Sequence, residues 1–490
     1  MSFVTANRHA FIGREVELAQ LRRTARLPKA GLVVCRGRRR IGKSTLIERF
    51  AEEFQHFYEF QGLAPREEIG NHHQLENFSR QLAEQHHLPA LQLQNWHEAF
   101  ALLARLTEDQ KALIFLDEIS WMASCDKDFV GQLKIAWDTR FKKNRRLILV
   151  LCGSVSSWID KNILNSADFL GRVSLSLDLR ELPLDKCNDF FSEVGGVPGR
   201  RMSTLERSRV LCVTGGVPRY LEEIEYGATA ERNIIDLCFT RGGLLVDEFD
   251  KIFNDIFSAR APTYRQIVGT LIDGALTFSE ICSDLGVAPS GVFSEYLEDL
   301  VAAGFVQRDY VYSLTTGKRG KLSRYRLKDN YLRFYLKYIE PQREKIAAGI
   351  FDSERARSFA AFDAIMGLQF QNLVLNNIPL VLEALKINLS HIRSASPYFQ
   401  NATGRQKACQ VDLLIDTKYA VYLCEIKFRT KLGSSISDEV AERASRLKVD
   451  RSKSLRRVLI YLGDLAHNIE ASGAFDQLIA FEKFLQPLSG

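Results

Sequence analysis

None of the nine cysteines in this 490-residue chain forms a C-x-x-C pair. An odd, scattered set of thiols fits neither a zinc ribbon nor a disulfide framework, so reduced thiols in a cytoplasmic protein are the expectation. Two histidine pairs, His72–His73 and His86–His87, lack the cysteine or ordered acid spacing of a metal site. Long apolar runs are absent as well. Runs such as Leu113–Leu116 and Leu147–Cys152 reach six residues at most, far short of the roughly 20 residues of a membrane helix, and no membrane partner is expected. The opening "MSFVTANRHAFIG" has no charged-then-apolar signal pattern. There is no low-complexity tract and no repeat of solenoid period. The net charge of +6 permits nucleic-acid binding without demanding it. Basic character is local instead, in 36–43, 142–146, 317–321 and 451–457. The length predicts about three or four domains.

What is present begins with "GLVVCRGRRRIGKSTLIERF" (31–50), which reads as strand, glycine-rich loop and helix. Leu32–Cys35 is a short buried-type strand, and Leu46, Ile47 and Phe50 mark the apolar side of the helix. Between them stands Gly37-x-x-x-x-Gly42-Lys43-Ser44. Glycines let successive backbone N–H groups wrap a phosphate, and the helix N-terminus adds its positive dipole. The loop Gly37, Arg38, Arg39, Arg40, Ile41, Gly42, Lys43, Ser44 and Thr45 is therefore the candidate phosphate cradle. Lys43 reaches the β and γ phosphates of ATP, and the Ser44 hydroxyl binds Mg2+. A second acidic strand follows in "KALIFLDEISWM", where Asp117 and Glu118 end an apolar run at the edge where ligands sit in such sheets. Asp117 is expected in the Mg2+ shell, and Glu118 is expected to polarise the attacking water. Ser154, just past "RRLILVLCG", either senses the γ-phosphate or only caps a turn. Arg172 is either a charge-stabilising finger for a neighbouring subunit or a surface arginine.

With those motifs in place the chain resembles the archaeal-type P-loop ATPases, close to the AAA+ and STAND groups. The matching pieces are "FIGREVELAQL" (11–21), "GRRRIGKST", "IFLDEISWM", "LCGS", "LGR" and "TGGVPRYLEEI" (214–224). The resemblance implies that Gly13, Arg14 and Glu15 flank the adenine. It also implies that Pro218 and Arg219 sit in a lid helix over the nucleotide.

From Ala261 the pattern changes. "PTYRQIVGTLIDG", "TFSEICSDLG" and "APSGVFSEYLEDLVAAG" predict three helices, the second capped by Thr277 or Ser279 and the third with Val292, Tyr296, Leu297, Leu300 and Val301 on one face. "FVQRDYVYSLTTGKRGKLSRYRLKD" predicts two strands around a basic loop. Three helices and a hairpin make a winged helix-turn-helix. The third helix carries Glu295, Glu298 and Asp299 and no basic residue, unlike a base-reading helix. The hairpin, with Lys318, Arg319, Lys321 and Arg324, is better suited to DNA phosphates. A protein contact or a structural spacer is the alternative.

The last motif is "CQVDLLIDTKYAVYLCEIKF" (409–428). Val411–Ile415 and Tyr419–Phe428 read as strands joined by a short turn, and Val421, Leu423, Glu425 and Lys427 share one face. Unpaired burial of Glu425 and Lys427 is costly, so they are expected to face each other, Asp412 or a metal. Asp, hairpin, Glu-x-Lys resembles the PD-(D/E)xK nucleases, with a helix before (367–378) and a helix and strand after (439–448, then "RRVLIYLG"). The resemblance implies Asp412 and Glu425 on Mg2+ or Mn2+ and Lys427 activating water. Relatives of this kind often place a glutamate where this chain has Gln371, which removes one charge from the site.

The expectation is an α/β protein of four modules. A P-loop NTPase core with an ASCE-type parallel sheet spans 1–180, a helical lid 181–255, a winged helix 256–340, and a restriction-endonuclease-like α/β domain 341–490. The expected function is Mg2+-dependent binding and hydrolysis of ATP, acting on or regulated by DNA, in a homo-oligomer, with a metal-dependent nuclease at the C-terminus. The alternative is an ATP-dependent switch or scaffold whose nuclease-like domain is inactive.

Overall fold

The computed structural model describes residues 11–486 apart from 67, 87, 88, 90, 155, 192–201, 226, 258, 259, 353–361, 405, 467, 468 and 471. The chain divides into two compact units, Gly13–Glu181 with Ala302–Gly304, and Leu182–Val301 with Phe305–Gly490.

The first unit is a five-stranded, wholly parallel sheet: β1 (Gly31–Arg36), β2 (His56–Gln61), β3 (Ala112–Asp117), β4 (Ile148–Gly153) and β5 (Leu175–Asp178), in the order β2-β3-β4-β1-β5. A parallel sheet has to be covered on both faces, so its central strands are apolar at every position rather than alternately. That is why the run 113–116 and the run 147–152 are unbroken. Leu32, Val34, Ile114, Leu116, Leu149 and Leu151 point to one face and pack with Phe60, Phe78, Trp96, Phe100 and Phe129. Val33, Cys35, Leu113, Phe115, Val150 and Cys152, which alternate with them, are equally buried. In this order β4 lies between β1 and β3. The ends of all three open on one edge of the sheet, and every nucleotide-directed residue identified in the sequence between 37 and 154 lies on that edge.

In the second unit, helices Ala261–Thr270, Phe278–Asp284 and Gly291–Ala302 precede an antiparallel hairpin of β6 (Val306–Tyr312) and β7 (Arg319–Leu327). Thr277, not Ser279, caps the second helix, reciprocally with Glu280. In the third helix Phe293 faces inward and Val292 is exposed, a one-residue change from the expected apolar face. Two of the three acids of that helix are engaged within the protein. Glu298 pairs with Arg308 at 3.0 Å, and Asp299 accepts a 2.6 Å hydrogen bond from Tyr264.

Next come the helix Phe362–Asn376 and a second five-stranded sheet of β8 (Ile392–Gln400), β9 (Cys409–Thr417), β10 (Ala420–Leu432), β11 (Ser454–Leu465) and β12 (Gln477–Ala480), in the order β12-β11-β10-β9-β8. β8, β9 and β10 are antiparallel; after the helix Ser435–Arg446 the chain returns as β11, parallel to β10. The hairpin and the helix Phe362–Asn376 are knit together by buried polar groups. Arg333, fully buried, donates to the carbonyls of Ile272 and Leu327 and to Gln369 Oε1 at 3.0–3.1 Å. Burial, helped by the nearby positive charge of Arg326, lowers its pKa to about 9. Arg326 bridges Asp309 of β6 and Asn372 of the helix Phe362–Asn376. Among the described residues, no single helix is long and apolar enough to cross a membrane.

Candidate functional site

The loop between β1 and the helix Lys43–Ala51 is shaped by residues in left-handed backbone. Gly37 has φ +148°, and a Cβ there would stand 2.4 Å from the carbonyl oxygen of Leu179. Arg40 (φ 69°) is the loop's non-glycine member of this class. The Lys43 ammonium donates to the carbonyls of Gly37 (2.9 Å) and Arg38 (3.1 Å), so its charge is met by the loop's own backbone. Arg14 holds the loop from outside, donating to the carbonyl of Ile41 at 3.0 Å and also to that of Arg180. This clamp was not legible in the sequence. Gly13 (φ 72°) precedes it and Glu15 opens the helix Glu15–Ala25. Arg38 is buried, with Glu181 3.8 Å away, and Arg39 lies over the Trp121 ring at 6.0 Å.

Three strand ends then bring the chemistry together. Ser44 Oγ donates to Asp117 Oδ2 at 2.8 Å. Ser154 donates to Glu118 Oε2 twice, from its hydroxyl at 2.9 Å and its backbone N–H at 3.2 Å. Glu118 itself is in left-handed backbone (φ 50°, ψ 49°), a conformation that costs a non-glycine residue about 1 kcal/mol or more and concentrates at functional sites. Gly62, at the end of β2, makes room for it: a Cβ there would lie 2.8 Å from the Glu118 carbonyl oxygen. Ser44 and Asp117 offer the hard oxygen donors that Mg2+ prefers, so the residues present fit that ion.

The other residues expected at the nucleotide are engaged within their own units. Arg172 is held by Asp138, with Nε 3.0 Å from Oδ1 and a terminal nitrogen 2.8 Å from Oδ2. The hydrogen bond from Arg172 is the main reason the Asp138 carboxyl is pulled down to about 2. Pro218 opens the short helix Pro218–Leu221, and Arg219 pairs with Glu222 (3.3 Å) and Glu223 (2.5 Å), all within the second unit.

The sheet of the second unit carries the other acidic group. The β9–β10 ladder runs from Val421↔Asp416 to Cys424↔Leu413 and then stops. Beyond it the Ile426 N–H donates to Asp412 Oδ2 at 2.9 Å, so a carboxylate replaces the missing ladder carbonyl. Gln371 donates its side-chain amide to Asp412 Oδ1 at 3.2 Å. Glu425 is fully buried between two cations: Lys427 lies 2.6 Å from Oε1, and Arg443, from the helix Ser435–Arg446, pairs with Oε2. Burial, and then the negative charge of Glu425, push the Asp412 carboxyl up to about 7, against the Ile426 N–H and the charges of Lys427 and Arg443. The sequence pairing of Asp412, Glu425 and Lys427 is thus brought together, with Arg443 added. Among the described residues no group of three or more His, Cys, Asp or Glu side chains is disposed to hold a metal ion. The two acids, the amide and the two cations present do not fit a divalent ion, because three of the four carboxylate oxygens already accept from N–H donors and the fourth, Glu425 Oε1, lies against the Lys427 ammonium. His72 and His73 stack on each other at 3.7 Å, while the His86–His87 pair runs outside the described residues.

The basic hairpin is turned partly inward. Arg324 stacks on Phe399 of β8 at 4.4 Å, while Arg319, over the Tyr310 ring at 4.3 Å, stays exposed with Lys318 and Lys321. Arg324, Arg443, Arg446, Asp412 and Gln400 line a cavity of about 520 Å³.

Residues 11–224 match the family of ATPase domains found predominantly in Archaea, and this segment carries an ATPase domain of that family. An uncharacterized protein of Methanocaldococcus jannaschii is 24% identical over 364 residues, 74% of this chain and 76% of that protein. Among solved structures, the Walker-type ATPase of Pyrococcus abyssi is 18% identical, over 67% of this chain and 97% of its own, with a TM-score of 0.49. The ORC2 protein of Aeropyrum pernix, in its ADPNP–ADP complexes, is 14% identical, over 73% and 97%, with a TM-score of 0.39.

The position of Asp412 sets a pH dependence. Its carboxyl gives up a proton near 3.8 when unfolded and near 7 when folded. Between those values the folded chain keeps a proton that the unfolded chain has released, so stability falls as pH rises through this window. Urea midpoints measured from about pH 5 to about pH 8 should therefore fall more steeply for the wild type than for Asp412→Asn. Parallel curves would show that Asp412 titrates normally.

Proposed function

We propose that this chain binds ATP with Mg2+ at the open edge of the parallel sheet, hydrolyses it there, and uses the second unit to engage DNA. The observation that carries the ATPase reading is the pairing of two acids with two serines on neighbouring strand ends. Ser44 holds Asp117, and Ser154 holds Glu118. The backbone of 37–45 receives the phosphates, and Lys43 exchanges its two carbonyl partners for phosphate oxygens. Bound Mg2+, held by Ser44 and Asp117, supplies neutralisation of the phosphate charge. Glu118 orients the attacking water through the carboxylate oxygen that Ser154 leaves open, and Ser154 is a positioning residue for it. Gly13 and Arg14 support the base side of the pocket through the clamp on Ile41. Arg172 acts as a finger toward a neighbouring subunit only once its pair with Asp138 opens. The site of action is the cytoplasm.

DNA engagement rests on the exposed Lys318 and Lys321 beside Arg319, a winged-helix hairpin presenting positive charge. No cleavage step is assigned to Asp412, Glu425 and Lys427, whose charges are balanced within the protein.

Replacing Lys43 and Asp117 together by alanine should abolish ATP hydrolysis, while Ser154→Ala should lower kcat about tenfold and leave KM within about twofold, the loss of one oriented hydrogen bond. Steady-state phosphate release checks both, and hydrolysis that survives the double substitution contradicts the reading. For the DNA arm, Lys318→Ala, Arg319→Ala and Lys321→Ala together should reduce the slope of log affinity against log salt by about 2 or more. An unchanged slope means that the hairpin does not touch phosphates.

A further inference from the structure

The four carboxylate oxygens of Asp412 and Glu425 each have a protein partner. Asp412 Oδ1 faces the Gln371 amide, Asp412 Oδ2 the Ile426 N–H, Glu425 Oε1 the Lys427 ammonium, and Glu425 Oε2 the Arg443 guanidinium. We propose that Arg443 is the resident cation of this site: it occupies the place beside Glu425 that a divalent ion would need, and so makes the site metal-free.

The argument is one of charge and room. Glu425 is fully buried. A buried carboxylate needs opposite charge and hydrogen bonds together; Lys427 supplies charge at Oε1, and Arg443 supplies both charge and a hydrogen bond at Oε2. With both acids ionised, two carboxylates against two cations leave no net charge at the site, and any proton kept on Asp412 leaves it positive. Adding a divalent ion without losing a cation would bury two uncompensated positive charges. Lys427 shares the strand and the face of Glu425, two residues on, and is the local partner of that carboxylate. Arg443 can withdraw: it reaches Glu425 from the separate helix Ser435–Arg446 and borders the cavity shared with Arg324 and Arg446. Its own charge is well supported. Burial acts against the Arg443 cation, but the charge and hydrogen bond of Glu425 outweigh it and raise the pKa. Gln371 completes the arrangement by turning a donor toward Asp412 at 3.2 Å, where a metal would need an acceptor. Glu425 is therefore the anchor of Arg443, and metal entry requires that Arg443 be removed.

Mn2+ binding tests this directly. Electron paramagnetic resonance would be run on the full chain carrying Lys43→Ala and Asp117→Ala, so that the loop site contributes no signal. The expected result is no stoichiometric Mn2+ in this parent, and one Mn2+ per chain, bound at least about tenfold tighter, in Arg443→Gln, lost again on adding Asp412→Asn. A parent that binds one Mn2+ per chain in an Asp412-dependent way overturns the proposal. So does a folded Arg443→Gln variant that gains no site. If Arg443→Gln does not fold, the parent decides alone through its melting temperature. No change on adding Mn2+ is expected, and a rise that Asp412→Asn removes overturns the proposal.

Discussion

A buried carboxylate has to be met by donors, and this requirement organises both sheets. Leaving one unmet costs several kcal/mol, a large share of the stability of a domain. The two sheets meet it differently. At the parallel sheet the partners of Asp117 and Glu118 are hydroxyl and backbone N–H groups, which orient the acids without cancelling their charge. Such acids remain able to meet a cation and a water. At the mixed sheet the partners of Glu425 are an ammonium and a guanidinium, which cancel its charge. The first arrangement leaves work for a ligand; the second is already complete.

The same requirement explains how the second unit is held. Its hairpin, the residues just after it and the helix Phe362–Asn376 meet through Arg333, Arg326, Asn372 and Asn330, each buried and each bonded to groups far away in the chain. An apolar interface would tolerate sliding. Hydrogen bonds from a fully buried guanidinium to two carbonyls and an amide fix one register, since any slip leaves several groups unmet. The stacking of Arg324 on Phe399 follows from that register and removes one of the four basic residues from the solvent face of the hairpin.

The parallel sheet was legible in the sequence because its strands are apolar runs ended by chemistry: glycines and Lys43 after β1, Asp117 and Glu118 after β3, Ser154 after β4. Local signals of that kind survive without tertiary information. β9, β10 and β11 were legible in type but not in extent: β9 runs over Cys409–Thr417 and ends on the buried polar Asp416 and Thr417, while β10 runs over Ala420–Leu432, with Arg429 and Lys431 exposed near its end. What stayed hidden was long-range. Arg14 finds carbonyls 27 and 166 residues away. Gly62 matters only because Glu118 takes a left-handed backbone 56 positions later in the chain. Arg443 sits in "AERASR", an ordinary solvated helix by pattern, and acquires its role only when Ser435–Arg446 lies across β10. Phe293 replacing Val292 on the inner face shows the same limit within a single helix, where one residue of rotation is below what spacing resolves.

The central claim is that Glu118, held by Ser154, is the group that readies water for attack while Lys43, Ser44 and Asp117 hold the nucleotide. Glu118→Gln separates the two roles, since the amide keeps the size and the contact with Ser154 but loses the charge. ATP affinity by calorimetry and single-turnover hydrolysis on the same preparation test it most directly. The account predicts affinity within about threefold of wild type and hydrolysis slowed by about 100-fold or more, the scale expected for loss of a catalytic base. Hydrolysis near the wild-type rate, or an equal loss of binding, would contradict it.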